Sequence, residues 1–102
     1  SPADSGLLSL EPHSHRVRAG DAVVELTTVE YRLFETLYQA PGRIFSRDQL
    51  MDRAYDDGRI VSDRTIDSHI KRIRKKFLSV DECFDGVETV YGLGYRYTEE
   101  SV

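Results

Sequence analysis

Apolar positions along this chain follow two rhythms. Near the N-terminus they alternate with polar ones, in Leu7-Leu8-Ser9-Leu10-Glu11, in Arg16-Val17-Arg18 and in Ala22-Val23-Val24-Glu25-Leu26. A period of two sends successive side chains to opposite faces of a strand. The first quarter is therefore expected to be a small antiparallel sheet that turns at Ala19-Gly20-Asp21. Residues 1–6 read as a linker remnant or an expression scar, and 7–100 as one domain.

From Thr27 onward the period lengthens to that of a helix. Thr27-Thr28-Val29-Glu30 fits a capping box, in which a hydroxyl and a carboxylate satisfy backbone donors orphaned at a helix start. Val29, Leu33, Leu37 and Ala40 then recur at helical spacing, widened by Phe34 and Tyr38, until Pro41-Gly42 ends the run. Ser46-Arg47-Asp48-Gln49 repeats the capping logic for a shorter helix with Leu50, Met51 and Ala54 on its apolar side. Beyond the loop Tyr55-Asp56-Asp57-Gly58-Arg59, a third helix is predicted over 63–77, capped by Ser62 or Asp63 and striped by Ile66, Ile70, Ile73 and Phe77. Val87-Glu88-Thr89-Val90-Tyr91 and Tyr95-Arg96-Tyr97 flank Gly92-Leu93-Gly94, a hairpin whose glycines permit positive backbone angles. The fold class that follows is α+β, in the order sheet, three helices, hairpin.

Composition narrows this only a little. The 102 residues hold one domain with one modest core, and 39% apolar with 31% charged residues is an ordinary globular balance. No apolar run approaches a membrane span, and the polar start lacks the features of a secretory signal, which points to the cytoplasm. Cys83 is the one cysteine, so an internal disulfide and a thiolate metal cluster are both excluded, and it is read as a small core or boundary residue.

Charge changes the picture more. A net −4 argues against a polyanionic partner until its distribution is considered. Residues 63–77 carry six Lys or Arg against two Asp, a local +4 that leaves −8 on the remainder. Rotating this helix by about 100° per residue puts Arg64, Ser68, Lys71, Arg72 and Lys75 opposite the isoleucine stripe, with Thr65, His69 and Lys76 at the margins. An α-helix fits the major groove of B-DNA, where Arg pairs with guanine, Ser and Thr bond several base edges, and Lys and Arg neutralise phosphates. A solvated charge run is the competing reading of such a face. One-signed charge on an acidic protein, a short helix before it and a glycine-tipped hairpin after it favour contact with DNA.

The remaining candidates are weaker. His69 lies at the edge of the basic face without a second ligand at metal spacing, so contact with phosphate or base competes with simple exposure. His13 and His15 are two apart near a strand, a spacing that puts both on one face, and they are read as exposed. Adjacent Asp56 and Asp57 point apart in an extended segment and make no catalytic pair. There is no phosphate-cradling glycine loop and no nucleophile motif, so no enzyme activity and no cofactor is expected.

Four motifs in order are familiar: Leu26-Thr27-Thr28-Val29-Glu30-Tyr31, the stretch from Pro41 to Leu50, that from Asp63 to Lys76, and Tyr91-Gly92-Leu93-Gly94-Tyr95-Arg96. Together they resemble the effector domain of OmpR/PhoB-family response regulators from about Leu7 to Thr98, with ChvI-type regulators as the nearest subgroup. The resemblance implies a winged helix-turn-helix with a four-stranded N-terminal sheet, a three-helix core and a hairpin wing. It implies an upstream receiver domain, a sensor kinase acting on it, direct-repeat promoter DNA and RNA polymerase as partners.

Residue by residue, Arg64, Thr65, Ser68, His69, Lys71, Arg72 and Arg74 match family positions that meet bases or phosphates. Arg47 matches a phosphate contact at a helix start, and Thr89 and Tyr91 match the wing, 87–98. Asp56, Asp57, Gly58 and Arg59 match a segment with which the family touches polymerase, against which stands an ordinary acidic connector. Some members carry Arg where this chain has Tyr91 and insert it into the minor groove. The phenol of Tyr91 can instead bond a phosphate or sugar, or pack back on the domain. Arg96 serves either the DNA backbone or a structural salt bridge. The leading expectation is sequence-specific binding of double-stranded DNA, and the runner-up a protein-interaction winged helix docking polymerase or a receiver.

Overall fold

The computed structural model describes residues 8–19, 21–55, 63–80, 84 and 86–98. Asp56, Asp57, Gly58, Arg59, Ser62 and Cys83 lie outside the described residues, as does the Gly20 turn position.

Three short strands open the fold: β1 (Leu8–Glu11), β2 (Arg16–Ala19) and β3 (Ala22–Glu25). They form one antiparallel sheet in the order β1-β2-β3, with Leu10 opposite Val17 and Val17 opposite Val24. Val17 and Val24 are buried while Arg16, Arg18, Val23 and Glu25 are exposed, which is the alternation that a half-covered sheet requires. The described residues thus hold three N-terminal strands where the family resemblance implies four. Leu26, expected in the third strand, leaves it and donates its amide to the His15 carbonyl at 3.0 Å. His13 and His15 share no strand face. Both lie in the turn before β2, where His15 adopts a φ of 54° and its ring meets Tyr31 at 5.5 Å.

The helices are α1 (Thr28–Tyr38), α2 (Arg47–Ala54) and α3 (Asp63–Leu78). Both capping boxes form, Thr27 with Glu30 and Ser46 with Gln49. Leu33, Phe34 and Leu37 of α1, Leu50 of α2, and Ile66, Ile70, Ile73 and Phe77 of α3 are all essentially inaccessible. Phe34 stacks on Phe77 at 4.8 Å and meets the edge of Tyr97 at 5.7 Å, so an aromatic cluster joins α1, α3 and the C-terminal hairpin. Tyr38 holds the sheet to α1, its hydroxyl donating to the Leu8 carbonyl at 3.2 Å and accepting from the Leu8 amide at 3.3 Å.

The hairpin pairs β4 (Val87–Val90) with β5 (Gly94–Tyr97), Val90 facing Gly94. An isolated two-stranded hairpin is marginal in water. Here the connection between α1 and α2 lies along its edge: Phe45 and Tyr95 exchange both backbone hydrogen bonds at 2.8 and 2.9 Å, and the Gly42 amide donates to the Tyr97 carbonyl at 2.7 Å. Gly94 stands where that contact is closest. A Cβ there would sit 2.0 Å from the Phe45 carbonyl oxygen, and its φ of 146° favours glycine as well. No helix among the described residues is long and apolar enough to cross a membrane.

Candidate nucleic-acid interface

Recognition chemistry on α3 follows from its burial pattern. The stripe Ile66, Ile70, Ile73 and Phe77 is locked in the core, which fixes the rotation of the helix about its axis. Arg64, Ser68, Lys71, Arg72 and Lys75 are exposed on the opposite face, as the helical spacing predicts. Ser68 is short, so the backbone between the long cations stays open to close approach. Thr65, His69 and Lys76 are half-buried at the margins.

Three basic or polar residues of this helix face inward. His69 lies with its Nε2 3.0 Å from the Tyr55 hydroxyl, and its Nδ1 is buried without a hydrogen-bond partner among the described residues. Burial holds its pKa below the ordinary imidazole value of 6.5, the Glu30 charge opposing and the Arg72 charge adding to the effect. The structure therefore places His69 beside Tyr55 at the margin of the cationic face, where burial favours a neutral ring. Lys76 turns toward α1 and donates to Glu30, a carboxylate that is 1% exposed, at 2.5 Å. Arg74, expected at DNA, crosses to the hairpin: Nε donates to the Val87 carbonyl at 3.1 Å and Nη2 to the Thr89 hydroxyl at 2.6 Å. Its guanidinium stands 5.8 Å from the Tyr95 ring centre. Arg74 thus links α3 to the wing through the Val87 carbonyl and the Thr89 hydroxyl.

At the wing tip Tyr91 is 92% exposed and does not pack back on the domain, and Leu93 beside it is 60% exposed. Arg96 resolves to the structural alternative, its Nε donating to Glu88 at 2.6 Å across the hairpin. Arg47 is exposed at the start of α2 and donates through Nε to Asp67 of α3 at 3.0 Å. The Tyr95 hydroxyl donates to the same Asp67 oxygen. Burial, the bond to Asp67 and its charge push the Tyr95 pKa up to about 12, so the phenol stays protonated and donating. Between the α2 start and the wing lies a cleft of about 520 Å³, lined by Ser46, Arg47, Asp48 and residues of the hairpin including Thr89 and Tyr91.

Sequence reasoning missed Asp67, Tyr95 and Phe45, the residues that join these elements. For Asp67 the signal available was an acid set between Arg64 and Lys71 on a cationic helix, which a count of net charge conceals. Helix rotation alone could not show that Arg74 finds the hairpin or that His69 finds Tyr55, since both partners are distant in sequence.

A helix pair followed by a hairpin that flanks the exposed face of the second helix is the winged-helix class of domain. The comparisons sharpen the class to a family. The profile described as "Transcriptional regulatory protein, C terminal" matches residues 20–97. The transcriptional regulatory protein BaeR of Escherichia coli O6:H1 is 48% identical over 79 residues, which cover 78% of this chain and 33% of BaeR. The phosphate regulon transcriptional regulatory protein PhoB of Escherichia coli K12 is 41% identical over 91 residues, covering 89% of this chain and 39% of PhoB. Among solved structures, the DNA-binding domain of the response regulator AdeR in complex with an intercistronic region superposes with a TM-score of 0.78 at 28% identity, covering 91% of this chain and 95% of that one.

This chain belongs to the OmpR/PhoB family of transcriptional regulators and is a C-terminal effector domain of that family. It spans 33% and 39% of the length of those two curated relatives. Nothing in these likenesses singles out the ChvI-type subgroup.

Proposed function

We propose that this domain binds double-stranded DNA sequence-specifically, as the effector half of a cytoplasmic two-component response regulator that controls transcription. The observation that carries the reading is the two-sidedness of α3: Arg64, Ser68, Lys71, Arg72 and Lys75 face solvent while the opposite stripe is sealed in the core. In this reading α3 enters the major groove, its arginines and Ser68 meet base edges, and its lysines neutralise phosphates. The N-terminus of α2, with Arg47, takes a backbone phosphate, which suits the partial positive charge of a helix start. Tyr91, neutral where some members have a cation, lies along a sugar or phosphate at the wing. Thr65 stands beside this face, half-buried at its margin.

Two copies on direct-repeat half-sites, an upstream receiver acted on by a sensor kinase, and contact with RNA polymerase complete the proposal. All of these rest on family membership. The test is titration of duplex DNA at rising salt. Affinity is expected to fall with a log–log slope of about −0.9 per neutralised phosphate. Lys71→Ala or Arg72→Ala is expected to cost about 1–3 kcal/mol if the contact is specific. Absence of binding at low salt, or binding indifferent to salt, refutes the proposal.

A further inference from the structure

One carboxylate joins the three elements that form the proposed nucleic-acid face. Asp67 lies on α3, and its Oδ1 accepts both from Arg47 Nε, at the first residue of α2, and from the hydroxyl of Tyr95 in β5. Arg47 and Asp67 are 48% and 37% exposed, whereas Tyr95 is buried. An ion pair this exposed contributes little to stability.

Two physical accounts of Asp67 have opposite signs. As a bare charge on a DNA-facing helix, it repels phosphate, and removing it tightens binding. As a partner of Arg47, it restricts a long side chain that would otherwise lose rotamer freedom on binding. The pairing uses Nε, one of five N–H donors on the guanidinium, and a planar fork remains for an anion. Arg47 lines the cleft between α2 and the wing, where a sugar-phosphate strand would pass. Tyr95 adds a second constraint, since the same oxygen that orients Arg47 is fixed by a buried phenol whose backbone bridges to Phe45.

We propose that Asp67 is a positioning residue that strengthens DNA binding despite its charge, by holding Arg47 toward a backbone phosphate and tying that contact to the wing through Tyr95. The inference rests on the DNA-binding reading above.

The test uses the full 102-residue chain and a duplex that it enriches from a random pool, with affinity read by fluorescence anisotropy. Asp67→Asn keeps the shape of the side chain and an acceptor for Tyr95. It is expected to bind about 3- to 10-fold more weakly than wild type, with a salt slope reduced by about one phosphate. Arg47→Ala is expected to show the same loss, and the double variant to bind no worse than Arg47→Ala alone. Equal or tighter binding by Asp67→Asn, or a double variant whose losses add, overturns the proposal. Should Asp67→Asn also lower the unfolding midpoint, Arg47→Lys decides the matter. It keeps the charge but lacks both the Nε donor and the fork, so positioning is supported if adding Asp67→Asn to it costs no further affinity, and overturned if that addition weakens binding again or if Arg47→Lys binds as the wild type does. A pool that yields no preferred duplex refutes the DNA-binding reading and this inference with it. Normal enrichment with Asp67→Asn binding unimpaired refutes the inference alone.

Discussion

Lys76 of α3 and Glu30 of α1 meet at 2.5 Å, Nζ to Oε1, with the carboxylate 1% exposed. The same Glu30 oxygen accepts the Thr27 amide at 3.1 Å, so a single side chain caps α1 and ties it to α3. A lysine that looks like part of a basic face is, half-buried, the partner of a buried carboxylate on α1.

Two adjacent lysines should therefore behave oppositely. Lys76→Met leaves Glu30 buried without its cation and is expected to lower stability by about 2–3 kcal/mol, with a small change in DNA affinity. Lys75→Met is expected to leave stability within about 0.5 kcal/mol while reducing the salt slope of DNA binding by about one phosphate. Urea unfolding and anisotropy on both variants separate these outcomes. Equal destabilisation by the two substitutions contradicts the assignment.

Acid stability should report the same pair. Burial pushes the Glu30 pKa up, but the Lys76 bond, the Thr27 amide and the Lys76 charge together hold it below the ordinary glutamate value of 4.5. A carboxyl whose pKa is lower in the folded state stabilises above its unfolded value and loses that contribution as pH falls through its folded value. Stability of the wild type is expected to decline below about pH 4.5. Glu30→Gln should be less stable at neutral pH and show a shallower acid decline, measured by thermal unfolding across the acid range. An acid decline as steep as that of the wild type counts against the pairing.

The two hairpin glycines differ in kind. Gly92 has a φ of 81° with open space around it, so Gly92→Ala is expected to cost about 1 kcal/mol from backbone strain alone. At Gly94 a Cβ would collide with the Phe45 backbone, so Gly94→Ala is expected to cost more than about 3 kcal/mol and to release the wing. Hydrogen exchange at the Phe45 and Tyr95 amides checks the second outcome. Continued protection of both would show that the wing contact tolerates a side chain.

His69 should be a structural residue without a titrating role at DNA. Its proton resonances are expected to titrate with a midpoint below 6.5, because burial disfavours the charged ring. By the same sign, its contribution to stability is present above 6.5 and declines as pH falls through the lowered value. DNA affinity of His69→Ala is expected to stay near that of the wild type, where Arg72→Ala loses affinity. A loss equal to that of Arg72→Ala would place His69 at the DNA after all.

Much of the fold could be read from local pattern, since the relevant physics is local. The stripe Ile66, Ile70, Ile73 and Phe77 fixes the orientation of α3, and the capping boxes at Thr27 and Ser46 mark two helix starts that the structure reproduces. The glycines of the hairpin announced the turn, with Gly92 and Gly94 both at positive φ. The candidate site was legible only in its outline. Arg64, Lys71, Arg72 and Lys75 are exposed as the wheel predicts, but Arg74, Lys76 and His69 are engaged by Thr89, Glu30 and Tyr55. Angle on a helix is set by sequence spacing, whereas the partner across the gap is set by packing between distant segments.

The bridge between Phe45 and Tyr95 also bears on how the protein is made. This contact closes a loop over nearly half the chain, and the hairpin alone has too little buried surface to form first. On the ribosome the helices can emerge and pack early, but the wing must wait until β5, far along the chain from Phe45, is synthesised. A growing chain therefore carries an unfinished surface, and the wall of the cleft opposite the start of α2 is completed only when β5 pairs with β4.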